Sequence, residues 1–394
     1  MASRSAHPQG KPQIDQDAWT VAHRIWQTPS TRAGLQSSLA MSRTSLGAKL
    51  GSLLGAGLVR ESDEVARSGG RPAHILEIAP DYGIIAAADI GEQHSFIALC
   101  SMEPTIMASR EMALDVSAGP DELLGTICHV VEELTTEPAM KDRPLLCLGL
   151  SLPAPVDWGS RTVSGYSVLR EWDGYDIQAT VHAELGVPVF VENDVNAMAL
   201  TEKRSFWRST RSLFYVKIGR GIGSAIFMNG ELYRGAQGAA GDIGHIQLAS
   251  GDAPTCRCGN RGCLESLTAG WALERDLRRA GVEVSGVDDI VALAQAQDMQ
   301  VLRALRQGGR LLGETVAQAT SLLNPEVIVV GGSLASSDGL MLAGVRQVVY
   351  ERALPLATKR LHVVSARSGP MAGVLGAAQL AADAWFTRVG GAVT

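Results

Sequence analysis

No run of the sequence approaches the ~20 uninterrupted apolar residues of a membrane span. The apolar stretch Leu145 to Val156 is cut by Ser151 and two prolines. The opening residues, MASRSAHPQGKPQIDQDAW, lack the apolar core of a secretory signal, so a cytoplasmic location without membrane contact is expected. Cysteine is sparse: six in 394 residues are too few for a disulfide scaffold. Three of them, Cys256, Cys258 and Cys263, nevertheless fall within eight residues, and in a reducing compartment such crowding suggests a metal. Low-complexity tracts and short-period repeats are absent. Aromatic residues reach only 5% and charged residues 19%, against 46% hydrophobic, which describes a globular chain of two or three domains.

The net charge of −6 conceals an asymmetry. Residues 1–72 hold nine Lys/Arg and five Asp/Glu, a balance of +4, while the remainder carries 26 basic and 36 acidic residues, a balance of −10. A basic head on an acidic body suits a chain whose first segment meets a polyanion, although a chance imbalance would read the same way.

Within that head, AWTVAHRIWQ (18–27) places Val21, Ala22, Ile25 and Trp26 on one helical stripe. Pro29-Ser30-Thr31 breaks the helix, and Thr31 is positioned to cap a second one running through Ala40. Leu46, Leu50, Leu53 and Leu54 then mark a third helix ending at Gly55 or Gly57. Leu58-Val59-Arg60 and His74 to Ile78 read as short strands around the turn-rich ESDEVARSGGRP. Three helices and a hairpin make a winged helix-turn-helix, expected over residues 1–78. The third helix offers Ser42, Arg43, Thr44, Ser45 and Lys49 at its start and outer face. Arg67 and Arg71 stand in the wing. Hydroxyls and helix-terminal amides suit phosphate oxygens, and Arg or Lys can reach base edges, so double-stranded DNA is the expected partner. A helical interaction module with solvated Ser and Arg is the alternative.

From Tyr82 apolar β-type runs alternate with glycines. Two strands turn around Gly91 to His94, a third follows in TIMASREMAL, then a helix over about 120–136 and a buried strand LLCLGLSL. VPVFVEND and a helix from Val195 come next. The pair LFYVKIG and GSAIFMNG, a helix over about 308–323 and VIVVGGS repeat the style. A βββαβα pattern near 83–151 and again near 213–332 indicates an α/β protein of two similar lobes with a cleft between them.

Gly241-Asp242-Ile243-Gly244-His245, followed by Cys256-Arg257-Cys258-Gly259-Asn260-Arg261-Gly262-Cys263-Leu264-Glu265, resembles the ROK family, whose CxCGxxGCxE pattern the second segment fits at every fixed position. That family unites bacterial sugar kinases and transcriptional repressors. The resemblance spans residues 80–390 and, with the head, follows the repressor branch. It implies a two-lobed actin-like, ribonuclease-H-like α/β body behind the small winged helix. The first lobe would span 79–205, joined by a C-terminal helix at about 371–390, and the second 206–370.

Cys256, Cys258, Cys263 and His245 supply three thiolates and one imidazole, a closed tetrahedral set for structural Zn²⁺, with Gly259 and Gly262 letting the loop fold tightly. Free thiols or a disulfide are the alternatives, the latter strained by the two-residue step from Cys256 to Cys258. The resemblance further implies a sugar site at Asn193, Asp194, Asp242, His245 and Glu265. In the family's kinases the residue at Asp194 is the general base. Asp242 stands where the family carries Glu, one methylene longer, and SLPAPVD (151–157) resembles a loop lying against the sugar. Asn193-Asp194 also reads as a helix cap.

The nucleotide motifs are degraded. Asp89-Ile90-Gly91-Glu92-Gln93-His94 puts Glu92 where the family's phosphate hairpin has glycine, and a carboxylate there repels a triphosphate. Gly219-Arg220-Gly221 keeps its glycines but has Arg220 for threonine. Gly331-Gly332 of NPEVIVVGGS survive, as a tight turn alone would require. ATP and Mg²⁺ are therefore not expected as cofactors, and Asp194 is at most a vestigial catalytic base. The expected protein is a sugar-responsive regulator, a repressor, working as a homodimer or homotetramer on operator DNA. Its rivals are an ATP-dependent hexose or N-acylhexosamine kinase carrying a DNA-binding head, and a constitutive DNA-binding protein whose lobes only oligomerise.

Overall fold

The computed structural model describes residues 14–66, 73–91, 95–157, 160, 162–163, 169–249, 251–336 and 339–389. In the head, α1 (Gln16–Gln27) is capped by Asp15, which accepts from the Ala18 amide at 2.9 Å. It buries Trp19, Val21, Ala22, Ile25 and Trp26 on one stripe. β1 (Ser30–Thr31) precedes α2 (Arg32–Leu39), for which Thr31 is the cap. α3 (Arg43–Gly55) buries Leu46, Leu50 and Leu53. β2 (Val59–Ala66) and β3 (Ala73–Ile78) pair antiparallel to form the wing, giving the strand order β1-β3-β2.

Two features depart from expectation. The charged stretch after Arg60 is not a turn: β2 continues to Ala66 across a register shift between Glu61 and Val65. The helix break carries a two-residue strand just after Pro29, where the cap residue Thr31 takes extended backbone. Ser30 and Thr31 pair with Leu76 and Ile75 on the free edge of β3.

Each lobe is built on the same plan. The first runs β4 (Ile84–Ile90), β5 (Ser95–Cys100), β6 (Ile106–Met112), α4 (Pro120–Thr135), β7 (Leu145–Leu152), α5 (Ile177–Leu185), β8 (Val189–Asn193) and α6 (Asp194–Phe206). The second runs β9 (Leu213–Ile218), β10 (Ile222–Met228), β11 (Glu231–Tyr233), α7 (Leu264–Thr268), α8 (Gly270–Arg279), α9 (Val287–Gln295), α10 (Met299–Leu323), β12 (Val327–Gly331), α11 (Leu340–Arg352), α12 (Pro355–Thr358), β13 (His362–Ser365) and α13 (Ala372–Val389). The sheets are ordered β6-β5-β4-β7-β8 and β11-β10-β9-β12-β13, three antiparallel strands followed by two parallel ones in each. The internal repeat therefore extends one strand and one helix beyond the expected βββαβα. α10 begins at Met299, not near 308, because the Gly308-Gly309 pair lies inside it and lets α11 approach. A Cβ on Gly309 would stand 2.5 Å from the Met341 carbonyl oxygen.

α13, the last element, returns to the first lobe and packs on β7, where the Cys147 thiol meets the Ala381 carbonyl. Its far end carries Trp385 and Phe386 into the head: Trp385 meets Trp19 edge-on at 5.4 Å, and Phe386 stacks on Trp26 at 5.7 Å. The head core and one face of the first lobe thus form a single hydrophobic cluster. Among the described residues no helix is long and apolar enough to cross a membrane.

Candidate functional site

His245, Cys256, Cys258 and Cys263 converge, with all four ligand atoms within 4.8 Å of one another. Cys263 immediately precedes α7, His245 ends a short 3-10 turn (243–245), and Gly259 and Gly262 take positive φ values of 90° and 69° in the loop between. His245 Nδ1 lies 3.5 Å from Cys256 Sγ, and Cys258 Sγ lies 3.8 Å from Cys263 Sγ. Ligands at about 2.0 Å (nitrogen) and 2.3 Å (sulfur) from a tetrahedral ion would stand roughly 3.5 and 3.8 Å apart, so the donor set fits a metal of zinc type. All six cysteines are free thiols.

Two residues beyond Cys263, Glu265 is buried, accepting from the Ile222 amide and the Trp271 indole, each at 3.2 Å. The metal loop is thereby tied to the β9–β10 hairpin. Across that hairpin lies the start of α6. Asn193 caps the helix, accepting from Val195 and Asn196 amides, while its Nδ2 donates to the Ala154 carbonyl at 3.1 Å in the 151–157 loop. The capping role is therefore real, and the same side chain ties that segment to the start of α6. Val195 touches Gly223 of β10, so Asp194 and Glu265 border the same short stretch of backbone, residues 217–223. Asp242, at the head of the 3-10 turn, is exposed and makes no side-chain capping bond there.

Sequence reasoning missed the residue that links these elements. Lys217, at the cleft end of β9, places its ammonium on Asp194 Oδ2, while Asp194 Oδ1 accepts from the Val195 amide at 2.8 Å. The signal available was a lone cation in the apolar strand LFYVKIG. Lys217 also acts on Asp89 at the end of β4, whose carboxylate accepts from the Ser151 hydroxyl at 2.6 Å. Burial pushes the Asp89 carboxyl up to about 6, with Ser151 and Lys217 pulling it down and Asp194 adding repulsion. Glu192 was likewise unassigned. It is buried, accepting from Asn196 Nδ2 at 2.9 Å and from Arg234 Nε at 2.7 Å, and holds the Asn193–Asn196 turn in place.

Of the nucleotide motifs, Gly91 directly follows β4, and Glu92 lies outside the described residues. The backbone of Gly219 is engaged: its amide donates to the Gly221 carbonyl at 3.0 Å and its carbonyl accepts from Gly270 at 2.8 Å. Gly331 and Gly332 have a structural reason to persist. Gly332 takes φ +93° with the Ile218 carbonyl 2.4 Å from where a Cβ would sit, and Gly331 packs under the Tyr215 hydroxyl. Both are required by β12 lying on β9, whatever the cleft holds.

On α3, Ser42 caps the helix, accepting from the Ser45 amide at 3.1 Å, and Ser42, Arg43 and Thr44 are exposed, with Ser45 partly so. Lys49 is placed differently from expectation. Its ammonium bonds Asp15 at 2.6 Å and Asp17 at 3.2 Å, so it ties α3 to the start of α1 and does not reach outward. Arg67 and Arg71 lie outside the described residues.

Comparison with known proteins matches this architecture. The ROK family profile covers residues 85–384. The xylose repressor of Bacillus spizizenii is 27% identical over 350 residues, 89% of this chain and 90% of that protein. A crystal structure of a ROK family transcriptional regulator, homologous to the E. coli MLC protein, superposes with a TM-score of 0.80 over 94% of this chain and 97% of the other at 24% identity, which establishes the shared fold. A ROK family glucokinase from Streptomyces griseus, solved with glucose and AMPPNP, superposes with a TM-score of 0.65 at 27% identity, covering 76% of this chain and 99% of its own. With a two-lobed actin-like body behind a winged helix and a family match across most of its length, the chain belongs to the ROK family.

Proposed function

We propose that the chain is a sugar-responsive transcriptional repressor. Residues 1–78 bind operator DNA, and a carbohydrate effector enters the cleft between a first lobe (79–205 with the helix near 371–390) and a second (206–370). Ser42, Arg43, Thr44 and Ser45 form the DNA-facing start of α3, with Arg67 and Arg71 reserved for the wing and Lys49 withdrawn from the set by its bonds to Asp15 and Asp17. Asn193, Asp194, Glu265, Asp242 and His245 form the sugar side. Zn²⁺ held by His245, Cys256, Cys258 and Cys263 supplies no chemistry, since three thiolates and an imidazole leave no open position; it pins Glu265 to the cleft. A homodimer or homotetramer in the cytoplasm, presenting two heads to paired half-sites, completes the reading, and the xylose repressor of B. spizizenii lends it support.

The observation that carries the non-enzymatic part is the Lys217–Asp194 ion pair. One oxygen of the carboxylate carries the ammonium and the other accepts from the Val195 amide, so an incoming sugar hydroxyl must compete with a cation or share an oxygen already bonded, an arrangement that favours holding a sugar over deprotonating it. The wild-type chain is expected to show no ADP release above background with Mg·ATP and D-glucose, D-xylose, N-acetylglucosamine or N-acetylmannosamine. At least one free or phosphorylated sugar should still raise its melting temperature, because a ligand that binds only the folded state stabilises it. Turnover that Asp194→Asn abolishes would instead favour the kinase.

A further inference from the structure

α6 joins three parts of the molecule. Its first residue is Asp194, in the cleft. Along its length it is seamed to α13: the Thr201 hydroxyl donates to the Ala372 carbonyl at 2.7 Å, and Gly376 lies directly on the Ala197 carbonyl. Its last turn is the junction between the lobes. There Glu202, fully buried, accepts from the backbone amides of Arg367 and Ser368, each at 2.9 Å, and from the Trp207 indole at 3.3 Å. Trp207 opens the segment crossing from α6 to β9, and Arg367-Ser368 belong to the segment returning from β13 to α13. One buried carboxylate therefore holds both covalent crossings, which is where any change of lobe angle must be absorbed.

Two residues on, Arg204 leaves the lobes altogether. Its guanidinium lies 3.9 Å over the Trp26 ring of α1 and donates to the Trp26 carbonyl at 3.2 Å. Besides Arg204, the Trp26 ring is contacted by Phe386 of α13, stacked at 5.7 Å. Trp26 is thus held by one residue from the hinge turn of α6 and one from the helix fixed to the first lobe. α1 is in turn bonded to α3 through Asp15, Asp17 and Lys49.

We propose that Arg204 is the positioning residue through which a change of lobe angle at Glu202 reaches the DNA-binding head, by shifting Trp26 against Phe386 and with it the seat of α1 and α3. The proposal rests on the sugar-responsive reading above and names the contact that makes it work. A guanidinium stacked and hydrogen-bonded at once is directional, so a small rotation of the last turn of α6 weakens it, whereas an apolar contact would slide.

The test uses the full chain and a fluorescent duplex from upstream of its own gene. Operator Kd is measured alone and with D-xylose, D-glucose or N-acetylglucosamine, and sugar Kd by calorimetry. In the wild type the sugar is expected to shift operator Kd by about tenfold or more, within the usual span of allosteric coupling. Arg204→Met should keep the sugar Kd and the sugar-free operator Kd within about threefold of wild type, yet lose most of the shift. Arg204→Lys, which retains a cation over the ring, should restore part of it, and it also carries the test if the Met variant does not fold. A full shift in Arg204→Met overturns the proposal while leaving the effector reading intact. A wild type whose operator Kd ignores every sugar removes the effector reading, and the proposal falls with it.

Discussion

Cys263→Ser is expected to empty the metal site and lower the melting temperature of the protein by about 10 °C. Cys263 is fully buried at the start of α7, and its sulfur is one of the four donors gathered around a common point. A serine hydroxyl does not supply the anionic sulfur that zinc takes, and three remaining donors leave the ion open to competitors. Structural zinc contributes on the order of 10–16 kcal/mol in peptides that have no other core. Here the second lobe has its own large apolar cluster, so only the loop 243–265 depends on the ion, and a loss of about 4–5 kcal/mol is expected. At roughly 2 °C per kcal/mol, the lower end of the range for a large domain, that loss lowers the melting temperature by about 10 °C. Elemental analysis should find about one zinc per wild-type chain and almost none in the variant, and a strong chelator should bring the wild type down to the variant's melting temperature. Glu265, two residues away, would lose its fixed position, so any sugar-induced stabilisation should disappear with the metal. Equal melting curves for variant, chelated and untreated protein would contradict this.

Gly376→Ala is expected to cost about 3 kcal/mol or more, although alanine is ordinarily the better helix residue. At this position α13 lies on α6 backbone to backbone. An added Cβ would sit 1.8 Å from the Ala197 carbonyl oxygen and 2.3 Å from its carbon. Neither is a flexible side chain that could swing away, so the helices must part. Parting them strains the Thr201 bond to Ala372 and the aromatic contacts that α13 carries into the head. Gly125 provides the matched control: it lies on the exposed face of α4 with nothing near a Cβ, and Gly125→Ala should stabilise by about 0.5–1 kcal/mol. Chemical denaturation of the two variants should therefore give shifts of opposite sign. The same sign in both would mean that α6 and α13 are not in the contact described.

Features set by local chemistry were legible in the sequence. The cap at Thr31, the apolar stripes of α1 and α3, the apolar strand runs of both lobes and the Cys/His donor set all follow from neighbours within a few turns of chain. What stayed hidden depends on distant partners. Lys217 reads as a stray cation in a strand until Asp194, 23 positions earlier, is seen beside it. Lys49 sits on α3 where a DNA contact belongs, but Asp15, 34 positions away, claims it first. Gly308-Gly309 weaken an isolated helix, yet α10 runs from Met299 straight through them because their missing side chains admit α11. Glu202 and Arg204 look like the solvated face of a helix, and only the fold brings the two lobe crossings and Trp26 to them.

The most direct measurement is a titration of duplex DNA from upstream of the gene with the full chain, at a series of salt concentrations and with each monosaccharide in turn. Specific binding that weakens linearly in log salt, as phosphate contacts require, and that one sugar loosens by about tenfold or more, is the expected result. Affinity no greater than for a scrambled duplex, unchanged by any sugar, would contradict the assignment of the head to DNA and of the cleft to its control.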